Sequence, residues 1–94
     1  MQVLVEFTGI SRVLTSLQER PLTLEEGATL QDVVRTLARE YPVLVGDVIQ
    51  ADGESLIATN LFSLNGKKIL HENDTQFQPQ DGDKLILLSL LAGG

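Results

Sequence analysis

The sequence predicts an α+β fold, a mixed sheet of four to five strands with one main helix across one face. Three observations predict it. Short runs of alternating or wholly apolar residues recur at 2–7, 19–25, 61–64, 67–70 and 84–90. One longer stretch, 29–41, repeats its apolar residues at helical spacing instead. Turn-forming sequences punctuate the runs, Asn65-Gly66 and Asp81-Gly82-Asp83 among them.

Gln2 to Phe7 sets Val3, Val5 and Phe7 against Gln2, Leu4 and Glu6, the alternation of a half-buried strand. Thr8 to Arg12 reads as a turn or loop pivoting on Gly9. A second strand, 19–25, places Leu22 and Leu24 on one face, and the first two strands are expected to form a hairpin. Pro21 has no amide to donate, so this strand lies at an edge or begins there. Thr29 then opens the helix, with Asp32 placed to complete a capping box. Leu30, Val33, Val34, Leu37, Ala38 and Tyr41 form its buried face, while Gln31, Asp32, Arg35, Thr36, Arg39 and Glu40 form the polar one. Pro42 stops it, because the residue before a proline disfavours the helical region.

Val43, Leu44, Val48 and Ile49 suggest a short second helix, and Asp52-Gly53 a turn. The runs 61–64 and 67–70 pair across Asn65-Gly66. Residues 71–80 form a polar loop with Phe77 folded back onto the core. Asp81-Gly82-Asp83 makes a tight turn into the last strand, Lys84 to Leu90, which is apolar on both faces and therefore central.

Ninety-four residues make one domain with a modest core. Thirteen acidic residues against seven basic give a net charge of −6, the wrong sign for a nucleic-acid binder. The excess of acid favours solubility and also fits docking onto a basic partner surface. No apolar run approaches the roughly 20 residues that span a membrane, and the start MQVLVEF lacks the form of a signal peptide. The chain has no cysteine, which fits a cytoplasmic location and excludes disulfides and thiolate metal sites.

The end of the chain carries the chemistry. We expect residues 1–88 to form the body and 89–94 a flexible tail ending in Gly93-Gly94. Glycines make a slim backbone that enters a channel too narrow for side chains. A terminal carboxylate on Gly94 would be ionised and resistant to nucleophiles, so it must be activated, most simply as an acyl-adenylate. The chain has neither a cysteine nor a phosphate-binding GxxxxGK[ST] loop, so the catalyst would be another protein. No metal site is expected. His71 is a lone histidine in a polar loop, and Asp81-Gly82-Asp83 lacks the length of a calcium loop. Lys67 and Lys68 read as solvated charges beside the hairpin turn, or with Leu88 as part of a docking face.

The element order, Asn65-Gly66, the Asp81-Gly82-Asp83 turn leading into an apolar strand, and the Ala92-Gly93-Gly94 end together resemble the MoaD/ThiS sulfur-carrier family. The resemblance spans nearly the whole chain and implies the ubiquitin-like β-grasp fold. It implies that the protein is not itself an enzyme. An adenylyltransferase of the ubiquitin-activating type would use Mg-ATP to adenylate Gly94. A sulfur donor such as a cysteine desulfurase system would replace AMP and leave a thiocarboxylate. Gly94 would carry the sulfur, Gly93 would give clearance, and Leu90, Leu91 and Ala92 would thread the partner's channel. The acceptor would be a molybdopterin precursor, with the carrier as small subunit beside the large catalytic subunit of molybdopterin synthase. A thiazole precursor, an activated serine derivative or a tRNA base would be the alternatives. Where molybdopterin carriers place prolines ahead of the final small residues, this chain has Ser89, Leu90 and Leu91. The family also includes protein modifiers, which would join Gly94 to lysines.

Overall fold

In the computed structural model, which describes residues 1–71 and 73–90, five strands form one sheet in the order β2-β1-β5-β3-β4. The strands are β1 (Gln2–Phe7), β2 (Glu19–Thr23), β3 (Asn60–Leu64), β4 (Lys68–Leu70) and β5 (Lys84–Ser89). The central pair, β1 and β5, is parallel, and every other neighbouring pair is antiparallel. The last strand is thus flanked on both sides, as its apolar sequence predicts, and β2 with Pro21 lies at an edge. Alternation turns Val3, Val5, Phe7, Phe62, Leu70, Leu85 and Leu87 inward onto the helix side, where all are buried.

The helix that covers this face is α2 (Leu30–Glu40). Its start is the expected capping box. The Asp32 amide donates to Thr29 Oγ1 (3.2 Å) and the Thr29 amide donates to Asp32 Oδ2 (2.8 Å). Leu30, Val33, Val34 and Leu37 are buried against the sheet, and Tyr41 meets Phe7 edge-to-face with centroids 5.4 Å apart. Thr36, placed on the polar face by its chemistry, is buried as well. Its hydroxyl donates to the Asp32 carbonyl at 2.8 Å, which removes the cost of burying it.

The cap makes a stability prediction. Thr29→Ala is expected to cost about 1 kcal/mol, a fall of roughly 4–8 °C in melting temperature for a domain of this size. The two bonds from Thr29, backbone amide first, hold the Asp32 carboxyl below its ordinary pKa, helped by the Arg35 guanidinium. A lowered folded pKa means that the carboxylate stabilises the fold above about pH 4, and that this is lost as the pH falls through the folded value. Melting curves at pH 7 and pH 3 should therefore show a larger acid-induced drop in the parent than in Asp32→Asn. Equal drops would mean that the cap carries no pH dependence.

Two expectations are corrected. Residues 8–12 are not a loop, because a second, short helix, α1 (Gly9–Thr15), follows β1 directly. Ile10 and Leu14, one turn apart, pack against the core, and Ser11 between them is buried with its hydroxyl donating to the Thr8 carbonyl (2.8 Å). The stretch after Pro42 is not a second amphipathic helix either. It holds a single 3-10 turn, Pro42–Leu44, and then an irregular loop with isolated bridges from Ile49 to Val45 and Leu56. Gly46, at φ +101°, breaks any helical continuation. Leu44, Val48 and Ile49 still reach the core, but from loop backbone. Arg35 anchors the loop on α2 through a two-pronged pair with Glu54 (Nε to Oε1 2.8 Å, Nη2 to Oε2 3.2 Å).

Smaller differences concern strand ends. β2 stops at Thr23, β3 starts at Asn60 and β4 starts at Lys68. Asn65 and Gly66 both have positive φ, and the Lys67 amide closes the turn onto the Leu64 carbonyl (2.9 Å). Phe77 folds back onto the core as expected. Among the described residues no helix is long and apolar enough to cross a membrane.

Candidate functional site

The strand that leads to the tail is held on both sides. Leu85 and Leu87 on β5 are 0% exposed, and the strand is bonded along both edges. The Thr8 hydroxyl donates to the Leu87 carbonyl at 2.6 Å, from the start of α1. Past the strand, the Leu90 amide donates to the Thr59 carbonyl at 2.6 Å. Residue 88, the expected end of the body, falls inside β5, and ordered bonding continues to Leu90. Leu90 itself is 58% exposed. Leu91, Ala92, Gly93 and Gly94, the other residues assigned to the tail, lie outside the described residues.

Beside this root stands α1. Gly9 lies beside β5, where a Cβ on it would make van der Waals contact with the Ser89 Cβ at 3.4 Å. Its φ of +56° also suits glycine. The first helix is therefore part of the tail's surroundings, which the sequence did not indicate. The available signal was Ile10 and Leu14 at i, i+4 spacing, obscured by the glycine at the helix start.

The outer face of the sheet, away from α2, carries Leu4, Leu61, Ile86 and Leu88, all half-buried, and the exposed Ile69. The predicted docking residues do not share this face as a group. Leu88 pairs with Leu61 near the tail. Lys67 lies by the turn at the Lys84 end of β5, about 13 Å away along the strand. Lys68 alternates to the helix side, and its ammonium sits 5.8 Å from the centre of the Phe77 ring.

Near the same end as Lys67, Lys84 bridges two acids on the outer face, Glu6 (2.8 Å) and Glu19 (3.1 Å). These hydrogen bonds, Glu6 first, raise the Lys84 pKa above its ordinary value and keep the amine charged. The Asp81-Gly82-Asp83 turn is a structural knot. Asp81 Oδ1 accepts from the Gln2 amide (2.7 Å), and Asp83 accepts from the Gln80 amide (2.7 Å) and from Asn65 Nδ2 (3.1 Å). Asn65 Oδ1 in turn accepts from the Lys84 amide (2.8 Å), which joins the hairpin turn to the start of β5. A cleft of about 700 Å³ opens between α2 and the β3–β4 pair, with Leu30, Val34 and Phe62 as apolar lining and Gln50, Asn60 and His71 as polar lining. Among the described residues of the cleft no hydrogen bond joins a nucleophile to a base, and the Glu54 at its rim is engaged by Arg35.

The geometry is that of a rigid body presenting its C-terminal end from a central strand, and known proteins share it. The crystal structure of small archaeal modifier protein 1 from Haloferax volcanii superposes with a TM-score of 0.83 at 20% identity, each chain covering all of the other. The solution structure of small archaeal modifier protein 1 from Methanosarcina acetivorans gives 0.77 at 26% identity, covering 99% of this chain and 96% of that one. The fold is thus the ubiquitin-like β-grasp. In sequence, small archaeal modifier protein 3 of Haloferax volcanii is 34% identical over 71 residues, which are 76% of this chain and 75% of that protein. The ThiS family profile matches residues 5–94. With body and tail both within that match, the chain belongs to the ThiS family, among the ubiquitin-fold sulfur carriers and modifiers.

Proposed function

We propose that the protein is a sulfur carrier, not itself an enzyme, whose Gly94 carboxylate is the reacting group. A carboxylate oxygen attacks the α-phosphorus of ATP in the active centre of a ubiquitin-activating-type adenylyltransferase, and pyrophosphate leaves. The terminal sulfur of a persulfide on a donor such as a cysteine desulfurase system then attacks the acyl carbon and AMP leaves, and a thiol reductant cleaves the resulting acyl disulfide, taking the donor sulfur away as a mixed disulfide. The product is a Gly94 thiocarboxylate. Mg-ATP is the partner's substrate, and this chain holds no part of it. Gly93 gives clearance in the channel, and Leu90, Leu91 and Ala92 thread it. The finer reading assigns the sulfur to a molybdopterin precursor, with the carrier held by the large catalytic subunit of molybdopterin synthase in the cytoplasm. The observation that carries the proposal is β5. A central strand, buried at Leu85 and Leu87 and bonded on both edges, delivers the tail from a fixed point.

The second reading is conjugation, an isopeptide bond between Gly94 and a lysine of another protein. The relative at 34% identity, a small archaeal modifier protein, favours it. Both readings need the same activated carboxylate and diverge at the nucleophile, sulfur or amine. Intact mass spectrometry after incubation with host lysate, Mg-ATP and a sulfur source separates them. The sulfur reading expects the mass gain of one oxygen replaced by sulfur, mapped to Gly94. Lysine-linked adducts of higher mass would establish conjugation instead. An unchanged mass, in a lysate shown to be active on another carrier, would remove both.

A further inference from the structure

Four large apolar side chains stand exposed among the described residues: Val13 (77%), Val43 (47%), Ile69 (41%) and Leu90 (58%). Ile69 belongs to the outer sheet face, and the other three surround α1. Leu90 follows Ser89, whose Cβ lies against Gly9. Val13, four residues past Gly9 in α1, stands on the helix's exposed side. Val43 sits on the 3-10 turn that packs against α1. Neither fold nor helix formation calls for valine at position 13. The side chain buries almost nothing, and its β-branch disfavours a helix where a straight-chain residue would serve better.

The length of the tail says what covers this surface. Gly94 stands four residues past Leu90, a stretch that spans at most about 14 Å when fully extended. Any active centre that acts on Gly94 lies within that distance of Leu90. A protein large enough to enclose such a centre must bring the mouth of its channel against the surface around Leu90, where α1 stands.

We propose that the exposed face of α1, centred on Val13 and flanked by Val43, seats an apolar rim at the channel mouth of the activating adenylyltransferase. The inference rests on Gly94 being the reacting end. It adds a contact that lies neither on the tail nor on the outer sheet face. The contact holds the body while the tail is threaded, so its loss weakens binding and leaves the chemical step intact.

The test is ATP–pyrophosphate exchange by the purified adenylyltransferase of the same organism, with the carrier concentration varied. Val13→Lys keeps helix propensity and buries no new group. It is expected to raise the KM for the carrier about tenfold at unchanged kcat, as for loss of an apolar anchor from an interface. Val13→Leu, and Thr23→Lys at the far end of the sheet as a charge control, should stay within about twofold of the parent. A Val13→Lys KM equal to that of Thr23→Lys, with melting curves matched, would place the rim elsewhere and overturn the inference. So would native mass spectra showing a parent dimer that Val13→Lys dissolves, since a second copy of the chain would then cover α1. The chain lacking Gly94 separates this failure from that of the carrier reading. If it still supports exchange at the parent's rate, the carrier reading fails, whatever Val13 does.

Discussion

Deleting Gly94 is expected to abolish adenylation while leaving the fold unchanged. The deletion moves the terminal carboxylate back by one residue, about 3.5 Å of extended chain. A displacement of even 1 Å from a reactive geometry costs roughly 10²-fold, so the exchange rate should fall by at least that factor and the thiocarboxylate should not accumulate. The fold has no reason to respond, because the described bonding of the body ends with the Leu90 amide on the Thr59 carbonyl, upstream of the cut. Circular dichroism melting and ATP–pyrophosphate exchange on one preparation check both halves. Exchange retained at a tenth of the parent's rate or more would rule out Gly94 as the reacting end.

Leu87→Ala should do the reverse and remove the fold before it touches the chemistry. Leu87 is fully buried on the central strand, paired with Phe62 on one side and Phe7 on the other. Truncating a buried leucine to alanine costs about 2–5 kcal/mol through lost burial and the cavity left behind. Total stabilities are only about 5–15 kcal/mol, and a small domain sits near the lower end. A loss of 10 °C or more in melting temperature is expected, at about 4–8 °C per kcal/mol. The comparison residue is Ile86, the next residue on the same strand, which faces outward and is half-buried. Ile86→Ala should cost clearly less. If the two variants melted alike, the assignment of inner and outer faces would be wrong.

Most of the framework was legible from local pattern. The period of α2, its capping box, the hairpin glycine and the apolar last strand each follow from chemistry within a few residues, and each is found in the structure. What was missed depends on distant contacts. Seven residues are too few for a helix to stand alone in water, and α1 exists because it packs on β5 and on the 3-10 turn. Its glycine, which reads as a loop pivot, is there for a positive φ, beside Ser89. The loop after Pro42 misled in the opposite sense. Val43, Leu44, Val48 and Ile49 have helical spacing, but Gly46 lies between them and three of the four side chains reach the core without a helix. The candidate docking residues divide by parity. Lys68 and Leu88 are both exposed enough to meet a partner, but strand alternation puts them on opposite sides of the sheet. The proposed reactive end is read from composition, whereas the surface around Leu90 is set by tertiary packing.

The place of β5 also bears on how the protein is made. Of the five strands, the latest in the sequence is the one that joins the other two pairs. Without it, β1 with β2 and β3 with β4 are two separate hairpin-like pairs with no shared edge. The parallel join between β1 and β5 pairs Leu4 with Lys84, far apart in sequence, so it must wait until β5 has been made. An interrupted chain would leave Val5, Phe7 and Phe62 uncovered and would be cleared by proteolysis or aggregate. A folded body therefore shows that β5 has been made. On the proposed reading, an activating enzyme that first recognises the body would rarely be occupied by a chain cut short before β5.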